Sequence, residues 1–264
     1  MQKPDVPEMY SPADPFYGAM DAGLTTVSEG SAELLQIRAR RMMETIVNYK
    51  ELMMMYTCAM KEVQTKFDIL NTEFKVRYRR NPIASISTRL KTTASITEKL
   101  ARHNCGLSVE NIEKYIHDVG GVRVICSYID DIYLIADAFL AQDDITLLRR
   151  KDYIAEPKPN GYRSLHLIVT VPVFFADHRL DMKVEVQIRT IAMDFWASLE
   201  HQMKYKQEIP DQDAIAEELR LCAETIRQTD ERMLGIRRRI EAAADTEDED
   251  DILFEKLSRI DIGI

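Results

Sequence analysis

The spacing of apolar positions changes several times along the chain, and each change marks an element. From Ser31 to Asn81 there is neither Gly nor Pro, and Leu34, Leu35, Ile46, Val47, Met53, Met54, Met60, Val63, Phe67, Leu70 and Phe74 recur at helical spacing. This stretch reads as one long helix or two consecutive ones, ending at Pro82. Ile83 to Lys91 alternates as a strand does, and short helices follow over Ser95 to Arg102 and near Val109 to Ile116. Val119 to Tyr128 is β-rich and opens on Gly120-Gly121, Ile132 to Leu140 returns to helical spacing, and Ile145 to Ile154, Tyr162 to Val171 and Leu180 to Ile188 read as three further strands. Thr190 to Tyr205 is again a helix, with Ile191, Phe195 and Leu199, joined by Met203, on one face. The fold class is therefore α+β: a mixed sheet of about five strands flanked by helices, with long N- and C-terminal helices.

The flanks have a different texture. Residues 1–28 carry four of the nine prolines and no helical period, so they read as a flexible arm, followed by a helical region over 29–82, a core over 83–206 and C-terminal helices over 207–264. Between Asp211 and Ala243, the residues Ile215, Leu219, Cys222, Ile226, Thr229, Met233, Ile236 and Ile240 alternate spacings of 4 and 3, a heptad seam with one polar break at Thr229. Such a seam serves equally for packing on its own domain or for an oligomer interface. Beyond it, an acidic block over 245–251 reads as a solvated linker before a short helix around Ile252 to Ile260.

Composition narrows the class. No run approaches the roughly 18 apolar residues of a membrane span, and the N-terminus has no signal-peptide pattern, so a cytoplasmic protein is expected. Cys58, Cys105, Cys126 and Cys222 are widely spaced and read as reduced thiols. The net charge of -9 is misleading, because Ile240 to Glu255 holds eight acids and no base, leaving about -1 for the rest. Within that rest, Lys75 to His103 carries eight Lys/Arg against the single acid Glu98, a basic cluster suited to phosphates.

Arg89, Lys91, Ser95 and Lys99 lie at spacings of 2, 4 and 4 across a strand end and the first turns of a helix. The first spacing shares a strand face and the second a helix face, so with the amides of a helix N-terminus they could cradle a polyphosphate. The alternative is a solvated basic surface. Asp118 stands two residues before Gly120-Gly121 and the apolar strand, a place where a carboxylate can meet a hard cation. The pair His117-Asp118 also invites a metal-dependent HD phosphohydrolase reading, but the other nearby histidine, His103, lies only 14 residues upstream. From Leu180 to Arg189 the alternation puts Glu185 and Gln187 on one polar face, either a wet face or an active-site floor. Lys151 to His166, "KDYIAEPKPNGYRSLH", reads as a loop entering a strand. Tyr162, Ser164 and His166 would share one face of that strand, with Tyr162 and His166 roughly 13 Å apart at the usual rise. An aromatic could then stack a base while the histidine met its phosphates.

These segments together resemble the synthetase domain of the RelA/SpoT family, in the form of a small alarmone synthetase. The resemblance covers about residues 83–206 and rests on the R-x-K-x-x-x-S-x-x-x-K array from Arg89 to Lys99, "DVGGVR" from Asp118, "KDYIAEPKPNGYRSLH", and "VEVQIRTIAMDFWASLEHQMKYK" from Val184 to Lys206. It implies a nucleotidyltransferase-like core that moves pyrophosphate from ATP to the 3'-hydroxyl of GTP or GDP, giving (p)ppGpp and AMP. By the same resemblance, Arg89 and Arg123 would sandwich adenine, and Lys91, Ser95 and Lys99 would hold the ATP phosphates. Asp118 and Glu185 would coordinate Mg2+, with Glu185 also activating the 3'-hydroxyl and Gln187 beside it. Tyr162 would stack on guanine with Asn160 near that base, and Lys151, Lys158 and His166 would face the acceptor's phosphates. The resemblance further implies a homo-oligomer, a tetramer built through terminal helices, and binding of product or single-stranded RNA in a central cleft. Competing readings are another nucleotidyltransferase-like enzyme, a noncatalytic nucleotide- or RNA-binding module, and an alarmone hydrolase, whose metal-binding histidines are missing.

Overall fold

The structure, a computed structural model, describes residues 29–204 and 211–244. The expected arm over 1–28, the acidic block over 245–251, the short helix around Ile252 and the side chain of Met203 lie outside the described residues. The chain divides into two compact units, one up to Glu51 and one from Leu52 onward. Helix α1 (Glu29–Arg77) is a single helix of 49 residues that runs through that division. In the first unit its apolar residues, among them Leu34, Leu35, Met42, Met43 and Val47, are exposed.

In the second unit the order is β1 (Ile83–Leu90), α2 (Thr93–Arg102), α3 (Val109–Tyr115), β2 (Gly120–Cys126), α4 (Ile129–Leu140), β3 (Thr146–Asp152), β4 (Leu165–Phe174), β5 (Arg179–Thr190), α5 (Ile191–Lys204) and α6 (Gln212–Ala244). The five strands form one sheet in the order β1-β2-β5-β4-β3, mixed as expected, with β2 and β5 parallel and every other pair antiparallel. Alternation decides its two faces. Val122, Val124, Leu165, Leu167, Val184, Val186 and Ile188 are buried against helices. Phe67 of α1 stacks on Phe139 of α4 with ring centroids 4.4 Å apart, and Lys66 reaches Asp144 at 2.7 Å. On α1 the buried line runs through Leu52, Tyr56, Met60, Val63 and Phe67, and Met54 falls off it.

The structure departs from the expected pattern at four places. Strand β4 starts at Leu165 rather than Tyr162, because the segment through Pro157, Pro159 and Gly161 is still loop, with Gly161 at φ 87°. Ser164, expected on the polar face beside His166, is buried and donates to the Ile188 carbonyl at 3.2 Å. Ile191, Phe195 and Leu199 do line one face of α5, but that face is exposed; the core takes Met193, Trp196 and Ala197 instead. On α6 the inward line passes through Ala223, Asp230 and Arg237, a seven-residue spacing that leaves Met233, Ile236 and Ile240 of the predicted seam exposed. Among the described residues no helix is long and apolar enough to cross a membrane.

Candidate active site

Strand register builds the site on the other face of the sheet. Ser87, Arg123, Gln187, His166 and Lys151 are successive partners across all five strands and form one rung; Arg89, Gly121, Glu185, Ile168 and Arg149 form the next. Residues two apart on a strand share a face, so both rungs project to the same side. Four strand spacings of about 4.8 Å make each rung about 19 Å long.

Two clefts open along these rungs. The first, of about 590 Å³, is lined by Arg89, Lys91, Ser95, Arg123 and Gln187, among others; the second, of about 250 Å³, by Lys99, Arg149, Lys151, Lys158 and His166, among others. Asp118 and Glu185 line both. The register explains the shape of the first cleft. Arg89 lies opposite Gly121 and diagonal to Arg123, and diagonal neighbours sit about 7–8 Å apart, wide enough for one flat ring between two guanidinium planes. Gly121 leaves the space between them empty.

Asp118 is held by two ammonium groups, Lys91 on Oδ2 and Lys99 on Oδ1, each at 2.8 Å. Burial pushes its carboxyl up, but the hydrogen bonds and charges of the two lysines outweigh that and hold it below the usual range, so it is ionised. Glu185 has the same balance. Burial raises it, while His166 and the Gln187 amide bring it below an ordinary glutamate. His166 Nδ1 is 3.2 Å from Glu185 Oε1, Gln187 Nε2 donates to Oε2 at 2.9 Å, and Arg189 donates to Gln187 Oε1 at 2.9 Å. On its far side, His166 Nε2 is 2.8 Å from the Tyr162 hydroxyl. One tautomer satisfies the whole chain, with Nδ1–H donating to Glu185 and Nε2 accepting from Tyr162.

Most of the expected residues come together, with some rearrangement. Lys99, grouped by sequence with Arg89 and Lys91, opens on the second cleft, and Gln187 opens on the first. The Ser95 amide is capped by the Thr92 hydroxyl at 3.3 Å, leaving one fewer free amide at the α2 N-terminus than expected. Tyr162 and His166, expected far apart, touch, because the loop folds the tyrosine back over the strand end. Asn160 turns away from the clefts: its amide donates to Glu200 at 2.9 Å and its Oδ1 accepts the Tyr162 N–H at 3.2 Å. Lys158 lies over the rings of Tyr153 and Tyr162, 4.6 and 4.7 Å from their centroids.

Sequence reasoning passed over Arg149, Tyr153 and Arg189 as site residues, and met His117 only in the phosphohydrolase reading. Arg149 and Tyr153 stand two residues either side of Lys151, so strand period alone could have placed them on its face. His117 lines the second cleft, and its Nδ1 is buried without a hydrogen-bond partner among the described residues; burial and the surrounding cations lower its pKa. Alternation puts Arg189 on the polar face with Glu185 and Gln187, but its burial under Tyr162 depends on a loop distant in sequence.

A mixed five-stranded sheet with this strand order, carrying two cationic clefts joined at a carboxylate pair, defines a core that handles phosphorylated substrates. The chain belongs to the RelA/SpoT family. Residues 88–210 match the region found in RelA / SpoT proteins. The GTP pyrophosphokinase YwaC of Bacillus subtilis (strain 168) is 42% identical over 196 residues, which are 74% of this chain and 92% of that protein. Among solved structures, the small alarmone synthetase 2 from Bacillus subtilis superimposes with a TM-score of 0.64 at 43% identity, covering 71% of this chain and 97% of that one. The small alarmone synthetase 1 of the same organism, bound to its product pppGpp, gives a TM-score of 0.66 at 33% identity over 74% and 98%.

Proposed function

We propose that the chain is a GTP pyrophosphokinase that transfers the β,γ-pyrophosphoryl group of ATP to the 3'-hydroxyl of GTP or GDP. The observation that carries the reading is the shared wall: one cleft fits a donor nucleotide, the other an acceptor, and Asp118 and Glu185 stand where the two meet. The 3'-oxygen forms a new bond to the β-phosphorus, the bond from that phosphorus to the α,β-bridging oxygen breaks, and AMP leaves. The proton of the 3'-hydroxyl passes to Glu185, an ionised carboxylate whose orientation is set by His166 and Gln187.

In this assignment Arg89 and Arg123 take the two faces of adenine. Lys91 and Ser95 meet donor phosphates from the first cleft and Lys99 reaches them from the second, across the shared Asp118, so the two lysines that neutralise Asp118 turn from the carboxylate to the nucleotide. Lys158 leaves the rings of Tyr153 and Tyr162 for the acceptor's phosphates, joining Lys151, His166 and Arg149. Lys158 is exposed, and a cation–π contact at an exposed site is worth only about 0.5–1 kcal/mol, so its release is cheap and opens one side of the half-buried Tyr162 ring to guanine. Gln187 and Asn160 act through their neighbours, Glu185 and Tyr162 respectively.

Asp118 and Glu185 are hard oxygen donors and suit Mg2+, which commonly takes one or two protein carboxylates and fills its remaining positions with phosphate oxygens and water. Bound there, the ion would supply charge neutralisation at the transferred phosphates.

The test is product identification. Labelled ATP with GTP, GDP or GMP and Mg2+ should give AMP together with a guanine nucleotide two phosphates richer. Formation of ADP, or nucleotide binding without any AMP, would overturn the assignment in favour of another transferase or a noncatalytic binding module.

A further inference from the structure

The loop that carries Tyr162 rests on the last described helix, and the fit there is tight. Gly161 has φ 87°, and a Cβ built on it would lie 2.5 Å from the Ala223 Cβ on α6. The position therefore needs both a left-handed backbone and the absence of a side chain. Immediately after it, Tyr162 packs against the cluster of Trp196, Ala197 and Ala223 formed between α5 and α6. Immediately before it, Asn160 is tied to Glu200, a buried carboxylate on α5. The two helices are themselves joined by the Trp196 indole, which donates to the Leu219 carbonyl at 2.9 Å. Three consecutive residues of the loop are thus fixed by helices outside the sheet; α5 meets the first cleft elsewhere, where Asp194 lies 3.5 Å from Arg123, whereas Glu200 and Ala223 line neither cleft.

We infer that α5 and α6 form a seat for the acceptor-base loop, with Glu200 and Ala223 as positioning residues that set affinity for the guanine nucleotide and leave the donor cleft alone. The inference rests on reading Tyr162 as the guanine-stacking residue. A stacking ring held in place before the ligand arrives loses less freedom on binding, so weakening the seat lowers acceptor affinity with no contact to the ligand removed.

Trp196 is the chain's one tryptophan and lies against Tyr162, so its emission reports on the seat directly. Titrating the wild-type chain with GDP should change Trp196 fluorescence, and a methylene-bridged ATP analogue should not. In steady-state assays Glu200→Ala should raise the KM for GDP about tenfold, the equivalent of one charge-assisted hydrogen bond. Its KM for ATP should stay within about twofold, the mark of an effect confined to one substrate. Glu200→Gln keeps an oxygen for the Asn160 amide and should restore the GDP value. Ala223→Leu, pressing on Gly161, should reproduce the Glu200→Ala pattern while the Asn160 bond stays intact; should it fail to fold, the Glu200 pair decides. Equal rises in both KM values, a Gln variant as impaired as the Ala variant, or GDP binding seen by calorimetry with unchanged Trp196 emission would each overturn the seat. A wild-type chain that forms no AMP yet shows the GDP-specific fluorescence change would instead lose the pyrophosphokinase reading and keep the seat.

Discussion

Asp118→Asn is the most informative single substitution, because this carboxylate neutralises two lysines and borders both clefts. The variant keeps the shape of the side chain and one carbonyl oxygen, but its second terminal atom becomes an amide that must face an ammonium. A buried charge-assisted hydrogen bond is worth about 1.5–3 kcal/mol, whereas an exposed ion pair is worth about 0.2–1. The side chains of Asp118, Lys91 and Lys99 are 23%, 22% and 35% exposed, so water screens both pairs and the smaller figures apply. Losing the pair should cost about 1–2 kcal/mol, a fall in Tm of about 2–8 °C for a chain of this size. Catalysis should suffer far more, about 10²–10³ in kcat, as when one preorganised charge at a transferring group is removed. The KM for ATP should rise little or fall, since the two lysines are released toward phosphates. AMP release measured well below the Tm, alongside thermal melts, separates the two effects; AMP release within about tenfold of wild type would refute the catalytic assignment. The acid limb gives a second check. The folded carboxyl titrates below its unfolded value, so its contribution is present above that unfolded value and is lost as pH falls through the folded one. Melting curves of wild type and variant should therefore converge in acid, and curves that stay parallel would mean the lysine pair does not stabilise the fold.

Three further outcomes follow from the geometry. Gly121→Val should raise the KM for ATP at least tenfold, about 1.4 kcal/mol, because its Cβ meets nothing closer than 3.6 Å and the added methyls project between Arg89 and Arg123; an unchanged value in kinetic assays would remove adenine from that gap. Asp131→Ala, which strips a buried carboxylate from Arg80 and Arg237, should lower stability by about 3–5 kcal/mol in urea denaturation, and a loss under 1 would mean the arginines find other partners. Ile236→Glu, on the exposed line of α6, should lower the mass seen by light scattering if that line joins subunits, and an unchanged mass would exclude it; Ile226 is unsuited to this test because it packs inside the chain.

The local signals in the sequence were strong where one physical requirement dominated. Strand-like runs marked all five strands; on β4 and β5 one face is apolar and buried, and the same alternation put Glu185 and Gln187 together on the opposite face of β5, whereas the edge strands β1 and β3 are largely exposed. Period two could have added Arg149 and Tyr153 to Lys151. Helix faces were harder. On α5, Ile191, Phe195 and Leu199 make as regular an apolar stripe as Met193, Trp196 and Ala197, and only the position of the sheet and α6 selects which stripe is buried. On α6, the apolar line splits, with Leu219 and Ile226 packed inward and Met233 and Ile240 exposed, while Ala223, Asp230 and Arg237, also seven apart, stay turned inward.

What the amino-acid order determined by itself was therefore the inventory and the pleat: which residues are cationic, which carboxylates stand on strands, and which side chains share a face, because those follow from bonds to near neighbours. Tertiary structure decided adjacency. Strand order brings residues from 87 to 187 onto one rung, and the backbone reversal at Gly161 folds Tyr162 onto His166 and α6, while Asp118 and Glu185 become a wall common to two clefts. Such contacts are selected by burial and register across long stretches of chain, and no local period encodes them.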